Sequence, residues 1–354
     1  MSETPRLSHA AALEAMARAA GSDPRQLAAL ARFAHANGMH PEARRHAAKA
    51  WALAPDDREV AMLAQELLAK AVPEWHFTIV RDTLRNDLYE RAIRRAVGPG
   101  TRVLDIGSGT GLLAMMAARA GAAEVISCEM NPITAQAAAE IVARNGYSDR
   151  VRIIGKKSTA LDPAADLGGP VDVIVSEIVS NDLLGEDAVA AMEDATIRLL
   201  RPGGAVIPAR GSVEVALAEF PELERKRMGD VSGFDMRPFN RLVRVPLIAN
   251  RRRPAILRSA PARLFDFDFA GCVWPERRTS LDLHTTGGAI DGVLQWIRLE
   301  LDGETIYEVS FDGEIPSAWA GLLFPLGERI EPAAGTPVRI EGVHDLRSVR
   351  SWIA

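Results

Sequence analysis

Residues 7–71 repeat apolar positions at helical spacing in a background of Ala, Leu, Arg and Glu, which predicts an α-helical segment over 1–71. Pro73 interrupts that pattern, and "FTIVRDTLRNDLYERAIRRAV" then reads as an amphipathic helix ending at "GPG". From 101 to 209 the period alternates. Apolar runs of strand length ("TRVLDIG", "EVISCEM", "VRIIGKK", "VDVIVSE", "GGAVIPA") are separated by helical stretches. That βαβα order predicts a parallel sheet covered on both faces within a domain spanning 72–209. After Ala209 the runs become short and two-periodic, with frequent Gly and Pro: "GSVEVALAE", "ARLFDFDF", "SLDLHTT", "GVLQWIRLEL", "ETIYEVS", "PVRIEGV". They predict an antiparallel sheet or barrel over 210–354. Residues 220–245 fit neither pattern, being polar, irregular and partly helical.

Composition narrows the function classes. The chain has 354 residues, more than one ordinary core accommodates, and is 47% hydrophobic and 25% charged. A formal net charge of -5 gives no support for general binding to nucleic acid or a membrane surface. The run Arg251-Arg252-Arg253 reads as a solvated loop. Two cysteines, Cys128 and Cys272, stand far apart in no ligand spacing, against a disulfide framework or a zinc site. "MSETPRLSHA" has no apolar signal core and no uncharged run is long enough for a bilayer, so a cytoplasmic location is expected. Within the first segment, "ANGMHPEARRHAAKAWALAPDD" resembles the second helix of a tetratricopeptide repeat, with Gly38 at the turn, Ala43 and Ala50 at packing positions and Pro55 closing. Only one such repeat is visible. A helical cap or docking element and a plain helical hairpin both remain open.

The strand "RVLDI" runs into Gly107-Ser108-Gly109-Thr110-Gly111 and then a helix. Glycines there allow a tight turn and close approach of backbone to a ligand. The dinucleotide spacing G-x-G-x-x-G fails at Leu112, and no P-loop lysine follows. Asp105 precedes the loop on the strand. Glu129 ends the next strand, where a carboxylate can accept both hydroxyls of a ribose. The combination resembles motif I and its acidic partner in class I S-adenosylmethionine-dependent methyltransferases. That resemblance places the cofactor against Gly107, Gly109, Gly111 and Glu129, with Asp105 ordering the loop or reaching the cofactor amino group. Ser158 sits where this fold contacts adenine. Met130 packs on the adenine face or is an ordinary buried methionine.

A second loop, "SEIVSNDLLGE", follows the apolar strand "VDVIV" and so faces the ligand side of the sheet. It carries Glu177 and Glu186, nine positions apart. Two carboxylates confined together repel unless a cation lies between them, and a guanidinium offers a planar fork of donors for both. Here the chain resembles the protein arginine methyltransferases from about Trp75 to its C-terminus. The resemblance implies a Rossmann-like methyltransferase domain followed by an antiparallel β-barrel-like domain, with the α-helical segment added in front. It makes Glu177 and Glu186 the acceptor clamp and Arg85, in "RDTLRNDLYERAI", the residue that grips the cofactor carboxylate. "LQWIRLEL" resembles the family's pocket-closing Thr-His-Trp loop, with Trp296 on the tryptophan and Leu294 and Gln295 replacing threonine and histidine. Gln295 can hydrogen-bond the clamp but cannot serve as a base. The loops look most like the seventh, monomethylating branch. Departures are Ile178-Val179-Ser180 in place of Met-Gly-Tyr and the lack of a tyrosine pair before the helix at 77.

The resemblance further implies an arginine-containing protein or peptide as substrate, no metal, and a homodimer formed by an arm at 220–245. Two other readings stay open. One is a small-molecule N- or O-methyltransferase on the same fold. The other is a cofactor-binding scaffold working through its helical segment, against which the intact Asp105, three glycines, Glu129 and both loop glutamates argue.

Overall fold

A computed structural model describes residues 9–70, 72–309 and 317–354. The chain begins with antiparallel helices α1 (His9–Ala20), α2 (Pro24–Ala36), α3 (His40–Leu53) and α4 (Arg58–Ala69). Asp23 and Asp57 start α2 and α4, each accepting two backbone N–H groups at the helix N-terminus. Gly38 turns α2 into α3 at a φ of 74°. Ala31, Ala47 and Ala64 are wholly buried where α2, α3 and α4 meet. Leu67 and Leu68 complete that core, and Ile133 of the following domain packs against it. Small side chains thus let three helices approach closely and seat the segment on its neighbour.

Helices α5 (Trp75–Val80) and α6 (Thr83–Ala96) lead into the parallel sheet, made of β1 (Arg102–Ile106), β2 (Glu124–Cys128), β3 (Val151–Ile154), β4 (Val171–Ser176) and β5 (Leu200–Ile207). Its order is β3-β2-β1-β4-β5, all parallel. The order reverses at β1, so the carboxyl ends of β1, β2 and β4 open onto one crevice. Helices α7 (Leu112–Arg119), α8 (Pro132–Arg144) and α9 (Ala188–Arg198) cover the sheet.

The second half is a curled antiparallel sheet centred on β6 (Arg210–Glu219). A short helix α10 (Pro221–Lys226) and the hairpin β7 (Asp230–Val231), β8 (Phe234–Asp235) follow it in the chain. Then come β9 (Leu247–Ala249), β10 (Ile256–Leu257), β11 (Ala262–Asp268), β12 (Arg278–His284), β13 (Ile290–Glu300), β14 (Ile306–Glu308), β15 (Gly321–Ile330), β16 (Pro337–His344) and β17 (Val349–Ile353). The main sheet runs β10-β6-β13-β15-β9, and β12-β16-β17 form a second. β13 is buried on both faces from Ile290 to Ile297, which is why "GVLQWI" reads as continuous rather than alternating. β15 carries Pro325, a residue that reads as a strand breaker. Gly292 of β13 makes room for it. A Cβ there would run into the Phe324 carbonyl, and the register shifts at that point.

Residues 220–245 stand out from this body with Val231, Phe234, Phe239, Leu242 and Val245 exposed. Their foot is fixed by Asp291, fully buried in β13. It accepts the Phe220 N–H at 2.8 Å and pairs with Arg329 and Arg227 at 2.9 and 3.3 Å. Arg251, Arg252 and Arg253 lie in an exposed turn. Among the described residues no helix is long and apolar enough to cross a membrane, and no group of His, Cys, Asp or Glu could hold a metal ion.

Candidate active site

The crevice contains a cavity of about 320 Å³. The β1–α7 loop forms its floor. Gly107, Gly109 and Gly111 all have positive φ, between 50° and 84°. A Cβ on Gly107 would press on Ile178 at 2.6 Å. The loop therefore needs glycine for its conformation throughout, and at Gly107 for space as well. Glu129, at the end of β2, is buried and also lines the cavity. Its Oε2 accepts the Gly109 N–H at 3.1 Å and its Oε1 the Asn131 N–H at 2.8 Å.

Asp105 lies beneath this floor, buried on β1, and does not line the cavity. Its Oδ2 accepts from Ser127 Oγ at 2.7 Å. Ser127 in turn shares a hydrogen bond with Ser108 of the glycine loop. Of the two roles open to Asp105, the geometry gives the loop-ordering one. Burial pushes its carboxyl up to about 6, against the stabilising Ser127 bond and Arg85. Met130 lines the cavity but is 69% exposed, so it is not a buried core methionine. Ser158 is buried at the head of the turn after β3 and lines the cavity beside Lys156 and Lys157. Trp75, His76, Ile79 and Val80 of α5 form the opposite wall.

Both loop glutamates line the same cavity. Glu177 follows β4 with its side chain only 8% exposed, and its Oε2 accepts from Arg85 Nη2 at 2.8 Å. Burial pushes this carboxyl up to about 7. Arg85 opposes the rise, while Glu186 and Asp105 add to it. Glu186 stands exposed at the rim, yet nearby protein and the Glu129 charge raise its carboxyl too. Arg85 is placed by its helix. Asp82 starts α6 by accepting the Arg85 N–H at 2.9 Å, and the guanidinium rides 5.0 Å above the Tyr89 ring. Arg85 Nη1 donates to Asn86 Oδ1, and its buried Nε has no hydrogen-bond partner in the protein. The first engagement of this arginine is thus with the clamp glutamate.

Gln295 and Trp296 are elsewhere. Both are buried in the middle of β13, paired across to β6, and neither lines the cavity. Ser351 Oγ donates to Gln295 Oε1 at 3.2 Å, and Trp296 Nε1 donates to Glu308 at 3.0 Å. The match to the Thr-His-Trp loop at 294–296 is therefore corrected, because a central strand cannot serve as a pocket-closing loop. The tryptophan that reaches the carboxylate loop is Trp319. Its Nε1 donates to the Val179 carbonyl at 3.0 Å, and the Ala320 N–H donates to Asn181 Oδ1 at 2.8 Å. Tyr307 packs edge-on against Trp319 at 5.2 Å and donates to Asp82 at 2.8 Å, tying α6 to the same corner. The signal in the sequence was "SAW" at the head of the apolar run "GLLF", a tryptophan at a loop–strand junction.

A family profile described as ribosomal protein L11 methyltransferase matches residues 88–209. An arginine N(omega)-methyltransferase of Streptomyces achromogenes subsp. streptozoticus is 37% identical over 274 residues, 76% of this chain and 76% of that protein. A protein arginine N-methyltransferase 7 of Oryza sativa subsp. indica is 32% identical over 251 residues, 64% of this chain. The match spans only 35% of the rice protein. The Trypanosoma brucei protein arginine methyltransferase 1 enzyme–prozyme complex shares the fold at a TM-score of 0.66 and 23% identity. It covers 78% of this chain and 92% of that one. Arabidopsis thaliana protein arginine methyltransferase 10 gives 0.65 at 19% identity, over 78% of this chain and 89% of that one. With a relative matched over three quarters of both chains, and a glycine cradle and two glutamates facing one cavity, the chain belongs to the arginine N-methyltransferase family and is an S-adenosylmethionine-dependent methyltransferase.

Proposed function

We propose that the protein transfers one methyl group to an ω-nitrogen of an arginine side chain in a protein or peptide. The observation that carries this is the placement of Glu177 and Glu186 on the same cavity as the glycine cradle, with Glu177 buried and its carboxyl raised. Such a pair favours a cation between its members, and the guanidinium is the cation whose donors match both.

The residues present fit the cofactor. Gly107, Gly109 and Gly111 form a bare backbone cradle, Glu129 sets a carboxylate beside it for ribose hydroxyls, and Ser158 and Met130 border the adenine side. Arg85 lines the cavity with a buried Nε that no protein group accepts from, so it would hold the cofactor carboxylate while bracing Glu177. When bound, S-adenosylmethionine supplies an electrophilic methyl on a sulfonium. The protein's own contribution is orientation. A guanidinium is a poor nucleophile because its lone pairs are delocalised and its pKa exceeds about 12. Glu177 Oε2 is taken by Arg85, which leaves Oε1 for the acceptor. Glu186 holds a second guanidinium nitrogen from the rim. Together they localise charge away from the reacting nitrogen and align it, and alignment supplies much of the acceleration. The departing proton goes to a carboxylate, and Glu186 has solvent beside it to pass the proton on. Trp319, bonded to Val179 of the carboxylate loop, takes the place of the Thr-His-Trp tryptophan and closes the acceptor side.

The relative matched over three quarters of its length is named for arginine itself, which favours free arginine as a second reading. Incubating the protein with labelled methyl donor and, separately, arginine-rich peptides and free arginine distinguishes them by mass spectrometry. Monomethylarginine in the peptide supports the first reading. Label on free arginine alone supports the second, and label on neither removes both. The arm also supports a homodimer, since its exposed apolar side chains need a covering surface.

A further inference from the structure

The second carboxylate of the clamp sits on a strained backbone. Glu186 and Asp187 follow one another in the left-handed region, with φ of 61° and 59°. Residues other than Gly, Asn and Asp seldom occupy that region, and such a pair persists only where its surroundings fix it. On one side Gly185 is packed against Ser180. A Cβ there would collide with Ser180, whose Oγ accepts the Gly185 N–H at 2.8 Å. On the other side begins α9, and Asp187 at its head makes no capping bond to the helix. Its Oδ2 instead accepts from Lys157 Nζ at 2.8 Å, and Arg347 of the β16–β17 turn lies 3.9 Å from Oδ1.

Lys157 belongs to the cavity wall. It lies between Lys156 and Ser158, and all three line the cavity. Lys156 does not duplicate it, being held by Asp166 at 2.7 Å. Lys157 and Asp187 are 42% and 44% exposed, so the pair adds little to global stability. Its effect is local, on the residue joined to Asp187 by one peptide bond.

We propose that Lys157 and Asp187 form a positioning strut that holds Glu186 in its left-handed conformation and links the wall of the cofactor cavity to the acceptor clamp. Its catalytic consequence rests on the arginine reading; its structural consequence does not. Asp187→Ala removes the tether and raises the backbone cost, since alanine enters this region less readily than aspartate. Asp187→Gly removes both, because glycine adopts this conformation freely. The expected result is an acceptor KM raised about tenfold in Asp187→Ala, with most of that loss recovered in Asp187→Gly. Lys157→Met should raise KM too, by no more than Asp187→Ala does, and the double variant should be no worse than Asp187→Ala alone. Cofactor affinity by calorimetry should stay within about twofold in the two Asp187 variants, whose side chain does not line the cavity. Hydrogen–deuterium exchange over residues 183–189 should quicken in Asp187→Ala and Lys157→Met, with no acceptor present. An unaltered KM in Asp187→Ala, equal losses in the Ala and Gly variants, additive losses in the double variant, or unaltered exchange would each overturn the strut. If the wild-type chain methylates no arginine at all, the functional reading falls, and the exchange experiment still decides the strut.

Discussion

At the scale of single residues, the site is a set of groups whose backbone or charge state is unusual for a reason. Gly109 has a φ of 50° and its amide donates to Glu129. Valine there faces a left-handed conformation that β-branched residues resist, and its side chain would enter the cofactor's approach. Gly109→Val is expected to weaken cofactor affinity at least about tenfold in calorimetry. Unchanged affinity in a folded variant would remove the loop from the cofactor site. Glu177→Gln and Glu186→Gln keep shape and remove charge. Each should retain cofactor binding and lose about 2–5 kcal/mol of transition-state stabilisation, roughly thirtyfold to several-thousandfold in rate. Near-normal turnover in both would sink the clamp. Burial raises the Glu177 carboxyl to about 7. The acceptor-binding carboxylate therefore forms as pH rises through 7, and kcat/KM should climb over that range. The same shift has an opposite sign for stability. Its folded value lies above the unfolded one near 4.5, so its contribution is complete below that pH and is lost as pH rises toward 7. Chemical denaturation at pH 5 and 7.5 should show a smaller drop in Glu177→Gln than in the wild type.

At the scale of elements, the two tryptophans test which segment serves the pocket. Trp319 ties the loop before β15 to the carboxylate loop. Trp319→Ala should raise acceptor KM by about tenfold and leave cofactor affinity unchanged. Trp296 is a core residue of β13 bonded to Glu308. Trp296→Phe should lower the melting temperature by a few degrees, from the loss of about 1 kcal/mol, with KM unaltered. A KM effect confined to Trp296→Phe would restore the 294–296 assignment. The parallel sheet, its glycine loop and the helix carrying Arg85 were legible because their signals are local: apolar runs, turn glycines and a 3.6-residue period. β15 was missed because Pro325 masks it, and the compensation, Gly292, lies 33 positions earlier in the chain. "LQW" misled for a related reason. A tryptophan after a single polar residue looks the same in sequence whether it caps a loop or crosses a sheet, and only the pairing of β13 with β6 and β15 separates the two.

At the scale of the whole molecule, the arm leaves Phe234 67% and Leu242 71% exposed, and Asp291 anchors its foot in the barrel-like domain. Light scattering at assay concentration should give twice the chain mass, and Phe234→Ser with Leu242→Ser should give a monomer with reduced turnover. A fully active monomer would count decisively against the dimer. By itself the sequence determined the class of sheet, the position of the glycine cradle, Glu129, and the two glutamates of one loop. Each depends on residues close together in the chain, where turn chemistry and periodicity act directly. The tertiary structure decided the rest. It set Asp105 under the cradle through Ser127 and Ser108, brought Arg85 onto Glu177 across 92 positions, and joined Trp319, not Trp296, to the carboxylate loop. These pairings join different elements, and no local pattern encodes them. They are fixed only when the sheet closes, water leaves, and each buried polar group must find a partner or shift its charge.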